Sequence, residues 1–64
     1  MNRFMNELTA NVHFYTAQLE CVPIVIFIAD ELVGSGVIED ITEVSVRVHG
    51  EYFMRNVCTF KYAS

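Results

Sequence analysis

Residues 24–48 read IVIFIADELVGSGVIEDITEVSVRV, and this stretch decides the fold. Positions 24–29 are apolar without interruption, the pattern of a strand covered on both faces rather than half solvated. Asp30-Glu31 reads as a tight turn. Residues 32–41 form the next strand, interrupted by Gly34-Ser35-Gly36, where glycines inside a strand signal a sharp bend or bulge. Val44, Val46 and Val48 then alternate with Ser45, Arg47 and His49, a clean period of two. Working outward, Gly50 makes a turn, 52–54 a short strand, Arg55-Asn56 a break and 57–62 a last strand. The expectation is a mainly β chain of five short, strongly bent antiparallel strands over about 23–62, closing as a small barrel.

Upstream, Phe4, Leu8, Val12, Tyr15 and Leu19 fall on one helical stripe, which predicts a helix over about 3–18. Asn2 is placed to cap it, and Pro23 ends whatever precedes it. A strand over 11–19 is the competing reading, because His13, Tyr15, Ala17 and Leu19 also alternate. Linkers, repeats and low-complexity segments are lacking, so residues 1–64 read as one domain.

The 64 residues are 53% hydrophobic, with eight acids against four bases. A chain this short buries only about 60% of the surface its unfolded form exposes, so its core alone is marginal. Cys21 and Cys58 allow at most one bridge, which makes no disulfide framework. The apolar excess is therefore read as an interface with copies of the same chain. The net charge of −4 argues against a nucleic-acid binder. Its distribution is uneven: residues 1–43 carry −6 and residues 44–64 carry +2, from Arg47, Arg55 and Lys61 against Glu51. Arg3 and Glu7 with no following apolar run are not expected to form a signal peptide, and the longest apolar run falls far short of a membrane span. A cytoplasmic location is the resulting expectation.

The residues 24–31, then Gly36-Val37-Ile38, Ile41, Val44, Val46 and Val48, resemble the first segment of the Sm-like proteins. Their bacterial branch, Hfq, is the nearest comparison. Phe53-Met54-Arg55-Asn56 is similar to the second segment, and Phe4-Met5-Asn6-Glu7-Leu8 with Val22-Pro23 to the approach. The resemblance implies an N-terminal helix on a five-stranded SH3-type barrel. It also implies a cyclic homo-oligomer of about five to seven subunits, in which the fourth strand of one subunit pairs with the fifth of the next. Phe53, Met54, Val57, Phe60 and Tyr62 would supply that interface; the competing reading puts the aromatics in a monomer core.

The resemblance further implies single-stranded U- or A-rich RNA at the pore. In the family a base stacks on an aromatic two positions after an Asp, and a basic pair in the second segment hydrogen-bonds it. The matching positions here are Thr42, Val44 and the pair Arg55-Asn56. Thr42 and Val44 depart from the pattern, and an aliphatic side chain forgoes the roughly 1–3 kcal/mol that base–aromatic stacking gives per base. Arg55 keeps the planar donor fork suited to phosphates and base edges. Its competing reading is an ion pair between subunits, with Glu51 of a neighbour.

Other constellations point to no catalysis. His13, His49, Cys21 and Cys58 lack metal-site spacing, Glu39, Asp40 and Glu43 read as a solvated rim, and Gly34-Ser35-Gly36 is too short to cradle phosphate. A metal, a cofactor and a membrane are all unexpected. Two functions remain: a ring that binds single-stranded RNA as a chaperone, or a ring that has lost RNA binding and serves as a protein-interaction module.

Overall fold

The computed structural model describes residues 4–63. Asn2, expected as the helix cap, lies outside them. The element order is α1 (Asn11–Leu19), β1 (Ile24–Ile28), β2 (Glu31–Gly36), β3 (Ile38–Ile41), β4 (Ser45–Val48), β5 (Glu51–Met54) and β6 (Cys58–Tyr62). The strands form two three-stranded antiparallel sheets, ordered β2-β1-β6 and β3-β4-β5. The mainly β expectation holds in this form: six strands rather than five, with no pairing among the described residues that closes the sheets into a barrel. The extra strand arises where the glycine-rich bend was expected. Only Val37 separates β2 from β3, and Gly36 before it has φ +141°, a conformation side chains rarely adopt. A Cβ on Gly34 would lie 2.7 Å from the Phe53 ring, so glycine here lets the two sheets approach.

The first hairpin turns one residue earlier than expected. Ile28 pairs with Glu31, leaving Ala29-Asp30 as the loop, with Ala29 at φ 55°. The His49-Gly50 turn, with φ 52° and 75°, joins β4 to β5. The core takes Ile24 and Ile26 from β1, Ile38, Val46, Val48 and Phe53 from the second sheet, and Phe60 and Tyr62 from β6.

The helix is shorter than expected and begins eight residues later. His13 explains its start. Its Nδ1 accepts the N–H groups of Thr9 and Ala10 at 3.0 and 3.1 Å, which satisfies the N-cap donor and the one before it. The end is a Schellman arrangement: Val22 N–H bonds Ala17 O, Cys21 N–H bonds Gln18 O, and Cys21 sits at φ 55°. Phe14 and Ala17 face inward, whereas Val12, Tyr15 and Leu19 of the expected stripe are exposed. Phe14 meets Phe60 edge-on at 5.3 Å, and Gln18 Nε2 donates to Glu39 O on β3.

Residues 5–8, expected to be helical, instead run along the outer edge of β6. Met5 N–H bonds Tyr62 O at 2.7 Å, Tyr62 N–H bonds Asn6 O at 3.0 Å, and Leu8 N–H bonds Phe60 O at 2.8 Å. Buried Leu8 anchors this strap in the core. Among the described residues no helix is long and apolar enough to cross a membrane.

Candidate functional site

Strand pairing brings the four RNA-contact candidates together. Ser45 lies opposite Met54, and the ladder continues with Arg55 N–H on Val44 O, so 42–44 and 55–56 adjoin. Val44, Arg55 and Asn56, but not Thr42, line a groove of about 510 Å³ together with residues 7–9, Phe14 and Phe60. Val44 and Asn56 are exposed on its rim.

Arg55 does not point freely into this groove. Its Nη1 donates to Thr42 O at 2.7 Å and its Nη2 to Asn11 Oδ1 at 2.6 Å. The guanidinium carbon lies 4.6 Å from the centre of the Phe14 ring, a cation–π contact. Arg55 thus ties the β3–β4 loop to the first turn of α1. Two uncharged acceptors take two of its five donors, so it keeps some hydrogen-bonding capacity. Glu7 and Glu43 line the same groove and outnumber that one cation. A polyanion entering here would meet a net negative wall.

Thr42 is likewise engaged. Its Oγ1 accepts the N–H groups of Val44 and Ser45 at 3.2 and 2.9 Å and lies 3.0 Å from Ser45 Oγ. The hydroxyl shapes the loop and gives buried Ser45 a polar partner.

The interface candidates divide. Phe53, Phe60 and Tyr62 are buried within the single chain, whereas Met54 and Val57 are exposed. With Ile28, Val33 and Tyr52 they line a second groove, of about 370 Å³, beside β5. Sequence reasoning missed Tyr52 and Ile28 here; the alternation of 51–54 with buried Phe53 was the available signal for Tyr52. Among the described residues no strand pairs with the outer edge of β5.

Partial burial pushes the Cys58 thiol up, opposed in part by a hydrogen bond to the Met54 backbone, so it stays protonated at neutral pH. Among the described residues no three His, Cys, Asp or Glu side chains gather as a metal site. Arg47 Nε lies 3.3 Å from Glu39 Oε1, and Glu39 also accepts Gly50 N–H, a network that braces the β4–β5 turn. No family model matches this chain, and no curated protein or solved structure shows significant similarity to it.

Proposed function

We propose that this chain is a self-associating protein-interaction module of Sm-like type that works through the β5 edge rather than through RNA. One observation carries the reading: an unpaired strand edge flanked by exposed apolar side chains, Tyr52 at 57%, Val57 at 55%, Met54 at 46% and Ile28 at 43%. Soluble proteins normally blunt such an edge with charge, proline or a covering segment. The Sm-like assignment is supported by strand order. Counting β2 and β3 as one strand kinked at Gly36-Val37 gives five, in the order β6-β1-β2/β3-β4-β5, with β5 and β6 at the ends.

RNA binding at the Arg55–Asn56 groove is the second reading, favoured by the meeting of Thr42, Val44, Arg55 and Asn56 at one place. The two tied nitrogens of Arg55 and the flanking Glu7 and Glu43 weigh against it. Light scattering over a concentration series, with filter binding of oligo-U and oligo-A at two salt concentrations, tests both. The expected outcome is a mass above 7.3 kDa and no salt-dependent RNA affinity. A monomer throughout contradicts the module reading, and salt-dependent retention of oligo-U supports the second.

A further inference from the structure

We infer that the partner of the β5 edge is a second copy of the same edge, paired antiparallel about a two-fold axis. This rests on the module reading above. Three features of the molecule carry it.

The first is which edge is open. Residues 5–8 already hydrogen-bond to Phe60 and Tyr62, so pairing β5 with β6 of another copy would require that strap to leave. Pairing β5 with β5 leaves that strap in place, and an isologous contact of this kind closes on itself as a dimer.

The second is which peptide groups face outward. Arg55 N–H bonds Val44 O, so Glu51, Phe53 and Arg55 turn their peptide groups toward β4. Those of Tyr52 and Met54 therefore point away, because the direction alternates along an antiparallel strand. With Phe53 on the two-fold axis, Tyr52 stands opposite the second copy's Met54 as a hydrogen-bonded pair. The Met54 carbonyl receives Val57 N–H at 3.2 Å and has a second lone pair for this bond.

The third is charge. The same register sets Glu51 opposite Arg55 of the second copy, twice. The Glu51 side chain is exposed and has no ion pair or hydrogen bond among the described residues. Arg55 retains unengaged donors. Both lie on the face that carries Phe53, in closely spaced non-hydrogen-bonded pairs where side chains interact most. On the opposite face Tyr52, already under the Arg47 guanidinium at 5.7 Å, would pack on Met54.

The test is disulfide trapping. In a Cys21→Ser, Cys58→Ala background, the variant Tyr52→Cys with Met54→Cys places cysteines about 5.5 Å apart across the axis, within bridging range. Mild oxidation is expected to give a covalent dimer for the double variant and not for either single one. Equal linking by Tyr52→Cys alone overturns the register. An oligomer by light scattering that the double variant fails to trap overturns the two-fold pairing while leaving self-association intact. A monomeric parent chain overturns both. Glu51→Arg gives an independent check that leaves the core untouched: facing Arg55 across the axis, it should weaken the dimer roughly tenfold. An unchanged dissociation constant contradicts the proposal.

Discussion

Arg55 shows how far a residue's type constrains its role. Its position after an apolar strand suggested a pore-facing cation, yet its guanidinium grips Thr42 O and Asn11 Oδ1 and covers Phe14. Replacing it with Ala removes two hydrogen bonds and the ring contact, an expected loss of about 1–3 kcal/mol. For a domain of this size that lowers the melting temperature by roughly 4–24 °C, measurable by circular dichroism. Arg55→Lys keeps the charge but not the fork, and should recover little of it. A variant as stable as the parent would free Arg55 for a ligand. The partners were illegible in the sequence because Asn11 lies 44 positions away, and only the fold of the β3–β4 loop against the helix brings them together.

Among the elements, strands were easier to read than the helix. The alternation over 46–49 translates directly, with Val46 and Val48 buried, Arg47 half-buried and His49 exposed, but it inverts at 44–45, where Val44 is exposed and Ser45 buried. The helix offered two apolar stripes. Val12, Tyr15 and Leu19 make one, Phe14 and Ala17 the other, and helical spacing is satisfied by both. Burial against Phe60 selects the second, a choice made by tertiary packing and not by period. Its start was misplaced because the cap is a histidine at the third helical position, doing what Glu or Gln usually does. Its end has Cys21 in the left-handed conformation that usually selects glycine. Cys21→Gly should therefore stabilise the fold by about 1 kcal/mol. Chemical denaturation checks this, and a lowered midpoint would mean that the Cys21 side chain makes a contact worth more than the strain.

At the scale of the whole molecule, the apolar excess is only partly explained by the core. Among the described residues eleven hydrophobic ones are buried, while thirteen large ones are more than a third exposed. The length and composition made an interface legible, but not its location. Aromatics expected at the interface went to the core because two three-stranded sheets need filling between them. The strap of residues 5–8 was unforeseen, since its apolar spacing is helical while its hydrogen bonds belong to β6. With that edge covered, the outer edge of β5 with its flanking Tyr52, Met54 and Val57 is where the chain is proposed to meet another. Amide hydrogen exchange at Tyr52 and Met54, followed residue by residue at low and high protein concentration, tests this most directly. These two outward N–H groups should exchange freely in dilute solution and become protected as the chain associates, while β4 and β6 amides keep their rates. Exchange at Tyr52 and Met54 that is equally fast at every concentration would mean that β5 meets no other chain.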